Sequence, residues 1–404
     1  MKVAAIISEY NPFHNGHKYQ VDAIRKKLGE DTAIIAIMSG NYVQRGEMAI
    51  CDKTLRAQMA VECGVDLVLE LPFPFSMSSA EFFAKSGVKI ANDIGVVDYL
   101  VFGSESGNIE TLCDIASVMT SGEYRMMLDS LQGDSEYKEL GYPELCEIAL
   151  TRLYGKEISE DIFSPNNILA IEYIKALYAL GSKIEPVTIR RQGAGYLDII
   201  NPIEEYQSAS AIRQEIADGN FSALDFVPEN AKDIMLTARS EGKFPSDISR
   251  LDTAVISSLR INSSLSDNIQ DASGGLYNRI CDASADATTI SSLTAMAETK
   301  KYTKARIRRA IWNIYFGVTS SDVRVLPAYT QVLAMNSVGR SLLKGIKKIG
   351  TIPVITKPSS YKDYGLEVIM QKELSNKADA IYALSLEKPN SGRFALTFTP
   401  YVKE

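Results

Sequence analysis

Four short apolar runs near the start of the chain, each followed by a helix-length segment, leave few folds open to it. They cover residues 2–7 (with Val3-Ala4-Ala5-Ile6-Ile7), 33–38, 65–71 and 98–102. Runs this short and this rich in Val, Ile and Leu read as strands buried on both faces. The segments between them, 16–28, 52–63 and 78–93, read as helices, and Gly103-Ser104-Glu105 opens another. Strict alternation predicts an α/β fold: a Rossmann-like, doubly wound parallel sheet with helices on both faces. Such sheets bind ligands outside the carboxyl ends of their strands, where the strand order reverses. The first, second and fourth runs lead into polar or Gly-bearing loops, so those loops are the expected site walls.

Residues 107–180 read as mostly helical, with a loop at Ser164-Pro165-Asn166-Asn167, and 184–190 returns a strand to the sheet. The expected boundary lies near Gly242-Lys243-Phe244-Pro245. It divides a catalytic part, 1–243, from a mainly helical part, 244–404. The second part carries a basic helix at 298–315 and strand-like runs at 351–355 and 394–398. Charge supports the division. Between Thr294 and Lys357 there are twelve Lys or Arg against Glu298 and Asp322, a net +10 in a chain whose overall charge is −7. A basic patch on an acidic protein suits a phosphate backbone. The five cysteines, at 51, 63, 113, 146 and 281, form no CxxC pair, which favours a reducing compartment. The first apolar run ends at Ser8-Glu9, too short for a signal peptide, and no run reaches membrane-spanning length. A cytoplasmic location without membrane contact is expected.

The chain has two histidines, His14 and His17, in Asn11-Pro12-Phe13-His14-Asn15-Gly16-His17. The motif directly follows the first strand and opens the first helix. Gly16 lets backbone approach a ligand, and the free amides of a helix start favour an anion. Imidazoles three apart reach the same side of the helix. A metal pair and an ordinary surface turn are the competing readings. Against the first, no Glu lies between the histidines and no third imidazole exists.

A second phosphate cradle is Ser208-Ala209-Ser210-Ala211-Ile212-Arg213, with two hydroxyls and a guanidinium at a helix start. Alone it reads equally as an N-cap followed by a surface Arg. The loop Met38-Ser39-Gly40-Asn41-Tyr42-Val43-Gln44-Arg45-Gly46-Glu47 follows the second strand and would face the same crevice. Gly103 would let a base or ribose approach, Asn167 would read an adenine edge, and Arg190 and Arg191 would clamp phosphate or carboxylate. Caps and salt bridges are the competing readings for each.

Together the two cradles resemble the HxGH and (S/T)-x-S-x-x-R pair of the nucleotidyltransferase superfamily. With Ile6-Ile7-Ser8-Glu9-Tyr10, Gln44-Arg45-Gly46-Glu47, Asp66-Leu67-Val68-Leu69-Glu70-Leu71-Pro72, Phe102-Gly103-Ser104-Glu105 and Ser164-Pro165-Asn166-Asn167, the chain resembles the bacterial tRNA(Met) cytidine acetate ligase family over essentially its whole length. One local difference is Met48, where that family leads one to expect proline. The resemblance implies that ATP and acetate form acetyl-adenylate. The acetyl group then passes to N4 of the wobble cytidine (position 34) of elongator tRNA(Met). It implies catalytic roles for His14 and His17, and ATP contacts from Ile7, Ser8, Glu9, Tyr10, Asn11, Pro12, Phe13, Asn15, Gly16, Lys18, Tyr19, Gln20, Gly103, Asn167, Arg190, Ser208, Ser210 and Arg213. Ser39, Asn41, Gln44, Arg45 and Arg191 become candidates for the acetate or cytidine pocket. The sequence leaves open whether Mg2+ accompanies ATP and assigns it no protein ligands.

The chemistry is consistent with these residues. Acetate is already an anionic nucleophile at neutral pH, so the first step needs no general base. A wobble base lies in a single-stranded loop and can be splayed into a pocket. For the RNA, the basic helix offers Lys300, Lys301, Lys304, Arg306, Arg308 and Arg309 beside Tyr302 and Trp312, extended by Arg340, Lys344, Lys347 and Lys348. Its competing reading is a solvated helix face. Two other functions stay open on the residues alone. One is a small-molecule nucleotidyltransferase releasing pyrophosphate; the other is a nucleotide-regulated RNA-binding protein without catalysis.

Overall fold

The computed structural model describes residues 1–154, 160–191, 206–261 and 268–404. Its centre is one sheet of eight strands: β1 (Val3–Ser8), β2 (Ala33–Ser39), β3 (Leu67–Leu71), β4 (Tyr99–Ser104), β5 (Glu185–Arg190), β6 (Thr330–Met335), β7 (Val354–Ile355) and β8 (Tyr401–Val402). The order is β5-β4-β1-β2-β3-β6-β7, with β8 also on β6. All pairings are parallel except that between β3 and β6. Strand order reverses at β1, which pairs β2 on one side and β4 on the other.

Side-chain alternation explains the two layers. Val3, Ala5 and Ile7 of β1 and Ala33, Ile35 and Ile37 of β2 enter one core, shared with Phe83, Val88 and Ile90 of helix Ala80–Asp93. Ala4, Ile6, Ile34, Ala36 and Met38 enter the other, shared with Val21 and Ile24 of helix Asn15–Leu28. A period of two with both faces apolar is the signature of a strand covered on both sides.

The sheet crosses the boundary expected near 242–245. Strand β6 was not expected: its Thr330-Gln331 start breaks the apolar pattern. It seals the open edge of β3 antiparallel, with Leu67 opposite Met335. A third core, around Leu251, Ile280, Leu293, Ile311 and Trp312, also takes in Tyr42, Met48, Phe73 and Met77 from the first part. Tyr42 meets Trp312 edge-on at 5.1 Å. Aromatic pairs of this kind contribute about 1 kcal/mol beyond the area they bury.

Three expectations for the second part are corrected. Residues 394–398 are not a strand: helix Phe394–Thr397 brings Phe394 and Phe398, four apart, to 6.1 Å. The basic helix runs Lys304–Phe316, because Thr303 stays extended and its side chain caps Arg306 N, leaving Lys300 and Lys301 ahead of the helix. Tyr302 and Trp312 are buried core residues, 7% and 1% exposed, so neither offers a ring to RNA. Among the described residues, no helix is long and apolar enough to cross a membrane, and all five cysteines are free thiols.

Candidate active site

The β1 loop builds the site's floor. Tyr10 takes φ +46°, a left-handed backbone uncommon outside glycine, and its ring packs on Phe13 at 4.8 Å and His17 at 4.9 Å. Asn11 Oδ1 accepts the Ile50 amide at 2.7 Å and anchors the loop. Helix Asn15–Leu28 then starts with His14 as its N-cap and His17 at the third helical position. This is a capping box made of two histidines. His14 Nδ1 accepts the Gly16 amide at 3.0 Å, and His17 Nδ1 accepts the His14 amide at 3.2 Å.

The geometry determines which proton each ring carries. An Nδ1 that accepts from a backbone N–H holds no hydrogen, so a neutral ring bears its proton on Nε2. Burial, reinforced by nearby Arg191 and Arg213, holds the His14 pKa down at about 3. Burial, His14 and Arg191 hold that of His17 well below its usual value. Both imidazoles are therefore neutral Nε2–H donors at physiological pH. Their centroids lie 3.9 Å apart. A side chain at Gly16 would strike the His14 ring, since its Cβ would sit 2.8 Å from Cε1.

The cleft over these rings is lined by His14, Gly16, His17, Tyr19, Gln20, Gly103, Ile189, Arg190, Arg191, Tyr206, Gln207 and Ser208. It opens at the carboxyl ends of β1, β4 and β5, beside the reversal in strand order. Nine of these twelve residues were expected from sequence. Ile189, Tyr206 and Gln207 were not; the last two directly precede the Ser208 motif, and Tyr206 packs on Tyr19 at 5.7 Å. Gly103 keeps the cleft open, for a Cβ there would meet Arg191 Cγ at 3.2 Å.

Ser208 lines the cleft and the other candidates stand behind it. Ser208 caps helix Ala209–Ala217 through Ala211 N at 3.0 Å. Arg213 donates to the Asn11 carbonyl at 2.8 Å, to Glu47 at 2.9 Å and to Ser210 Oγ at 3.3 Å, joining the two motifs directly. Glu9, Asn11, Pro12 and Phe13 belong to the loop, with Ile7 and Ser8 at the end of β1. Glu9 accepts the Gln44 amide at 2.9 Å, and burial raises its pKa. Asn15 opens the first helix, and Lys18 pairs with Asp22 one turn along it. Asn167 is buried with Oδ1 on the Glu105 amide at 3.1 Å, so it orders the loop after β4 and does not line the cleft.

The loop after β2 faces two ways. Ser39 and Asn41 are buried. Asn41 bonds the Lys53 amide at 2.8 Å and Asp379 at 2.9 Å, inside a buried cluster where Lys53 Nζ meets Glu70 and Asp379, both at 2.6 Å. These two residues are therefore not brought to the cleft. Arg45 is half-buried, and its charge acts on Glu9.

The basic set is also divided. Lys300, Lys301 and Lys304 are exposed. Arg306 donates to the Asp271 and Ser273 carbonyls at 3.0 and 2.9 Å. Arg308 pairs with Glu47, and Arg309, 7% exposed, is held by Asp271 at 2.9 Å. Arg340, Lys344, Lys347 and Lys348 are exposed on helix Ser337–Ile349. That helix packs near Asp66 and Gly95, where strands begin, at the edge opposite the histidines. Among the described residues, no group of three or more His, Cys, Asp or Glu is arranged to hold a metal.

Comparison with known proteins agrees with this geometry. Residues 1–395 match the HIGH Nucleotidyl Transferase family. The tRNA(Met) cytidine acetate ligase of Acetivibrio thermocellus is 38% identical over 415 residues, covering 99% of both chains. That of Thermoanaerobacter sp. is 37% identical over 371 residues, 90% of each. The crystal structure of Thermotoga maritima TmcAL bound with alpha-thio ATP superposes with a TM-score of 0.91 at 30% identity, covering 100% of this chain and 99% of that one; the apo form gives 0.92.

Proposed function

Since the chain belongs to the tRNA(Met) cytidine acetate ligase family of HIGH nucleotidyl transferases, we propose that it activates acetate with ATP and transfers the acetyl group to N4 of the wobble cytidine (position 34) of elongator tRNA(Met). The observation that carries this reading is the pair of neutral imidazoles, each tied through Nδ1 to backbone and left with Nε2–H as its donor at the cleft.

In the first step a carboxylate oxygen of acetate attacks the α-phosphorus and pyrophosphate leaves. Negative charge builds on the non-bridging oxygens. Pre-oriented donors stabilise that charge without reorganising. His14 and His17 supply two such donors, with Arg190, Arg191, Ser208 and Arg213 placed around them. Neutral rings donate hydrogen bonds without surrendering a proton to acetate or phosphate. In the second step the cytidine amine attacks the acetyl carbonyl carbon, AMP leaves with the bonding pair, and the amine proton is released. Water would hydrolyse the mixed anhydride, so excluding water from the cleft protects this intermediate.

Residues 1–243 supply the ATP chemistry in this reading, and 244–404 dock the RNA. Lys300, Lys301 and Lys304 are exposed on the same helical unit as Arg308, which reaches the site loop. The basic face of helix Ser337–Ile349 would serve as a second, distant contact. Free cysteines among the described residues and an RNA substrate support a cytoplasmic location. Acetate-dependent exchange of labelled pyrophosphate into ATP, without RNA, tests the first step. Exchange supports the proposal; ATP binding without exchange contradicts it.

A further inference from the structure

We propose that Glu47 is a positioning residue for the adenylylation step: its carboxylate orients Arg213 and ties that arginine to the basic helix Lys304–Phe316. The proposal rests on the reading of Arg213 as a phosphate-binding group. Glu47 Oε2 accepts from Arg213 Nη2 at 2.9 Å, while its Oε1 accepts from Arg308 Nη1. Among the described residues the other acceptors of Arg213 are the Asn11 carbonyl and Ser210 Oγ. Glu47 is thus the charged member of the set that orients the guanidinium.

Glu47 is itself held firmly. Its carbonyl accepts the Val43 amide at 2.9 Å, and the Gly46 amide returns to the Val43 carbonyl at 2.9 Å. Gly46 has φ +72°, and a Cβ there would lie 2.5 Å from Arg309 N. The loop therefore lies directly against the basic helix at a position only glycine fits. Two residues before Gly46 in the same loop, Arg309 Nη1 donates to the Gln44 carbonyl at 3.4 Å and the Gln44 amide donates to Glu9. One short loop thus contacts the nucleotide side and the RNA side at once. The side chains of Arg213, Glu47 and Arg308 are 19%, 28% and 36% exposed. Partial desolvation makes such charge-assisted bonds stronger than open surface pairs. No bond is made or broken at Glu47; it acts through Arg213. A consequence follows for Arg308, which should influence ATP use even when no RNA is present.

The test is acetate-dependent ATP–pyrophosphate exchange without tRNA, on the full chain, for Glu47→Gln, Glu47→Asp, Arg308→Ala, Arg213→Ala and the Glu47→Gln/Arg213→Ala double variant. Loss of one charge-assisted bond should raise the KM for ATP roughly tenfold in Glu47→Gln, with a smaller change in kcat. Glu47→Asp should recover part of that loss, and Arg308→Ala should raise the same KM in the same direction. Glu47→Gln should add little to Arg213→Ala, since the two act as one unit. A merely structural Glu47 would lower the melting temperature and leave KM unchanged. Unchanged KM in Glu47→Gln beside a defective Arg213→Ala would overturn the proposal alone. Full activity of Arg213→Ala would overturn the phosphate role of that arginine, and the proposal with it.

Discussion

The Nδ1 atom of His17 accepts the backbone amide of His14 at 3.2 Å, closing a helix cap from the two histidines of the chain. The same bond that starts the helix selects the tautomer, so fold and chemistry share one contact. A residue that caps without donating into the cleft would keep the helix and lose the reaction.

His14→Asn is therefore expected to retain most of the fold, because Asn is a good N-cap. It should lower acetyl-adenylate formation by about 100-fold or more, the usual effect of removing one pre-oriented donor. His17→Ala should do the same, with a further loss of about 1 kcal/mol from the broken cap. Exchange kinetics and a melting curve on the same samples separate the two effects. Full exchange activity in both variants contradicts the donor role.

Acid should destabilise the protein through these rings. Their folded-state pKa values lie below the unfolded value near 6.5, that of His14 at about 3. Between those limits the unfolded chain binds more protons. The stability is fully present above pH 6.5 and is lost as pH falls, by about 1.4 kcal/mol per unit for each histidine. Urea midpoints at pH 7 and pH 5 should converge for wild type and His14→Gln as the wild type loses its advantage. Parallel pH slopes would show that His14 titrates normally.

RNA contact should depend on Lys300, Lys301 and Lys304. Changing all three to Ala should raise the KM for tRNA and leave tRNA-free exchange intact. The salt dependence of tRNA binding should flatten by roughly one unit of slope for each phosphate contact removed. Arg340→Ala with Lys344→Ala tests the opposite edge separately. A smaller effect is expected there, and an equal one would show that RNA reaches both edges.

Lys53→Met should destabilise the whole chain, not one part of it. Lys53 Nζ is buried between Glu70 on β3 and Asp379 on helix Leu366–Tyr382. Removing the cation takes from two buried carboxylates their direct ion-pair partner and leaves buried Lys372 as the remaining lysine acting on both, a change that costs about 3–5 kcal/mol. Denaturant unfolding should remain a single transition with a lower midpoint. Loss of the 244–404 transition alone would show the two parts unfold independently.

The strands up to β5 were legible because a strand buried on both faces is a run of aliphatic residues, as Ala33 to Met38 shows. The cleft was legible where function demands rare residues: two histidines, Gly16, Gly103 and a serine-arginine pair. Long-range pairing was not. Thr330-Gln331 opens a strand that exists because β3 offers it an edge. Trp312 resembled an RNA-facing ring until tertiary packing placed it against Tyr42. Arg309 counted as positive charge in the sequence, whereas Asp271, in a distant segment, neutralises it. Tyr206 and Gln207 carry no motif; only their position before Ser208 pointed to them.

The most direct test is mass spectrometry of tRNA nucleosides after the protein meets ATP, isotopically labelled acetate and native elongator tRNA(Met). Labelled N4-acetylcytidine at position 34, formed with equal amounts of AMP and pyrophosphate, is the predicted result. A folded protein that binds ATP yet leaves that cytidine unmodified would contradict the assignment.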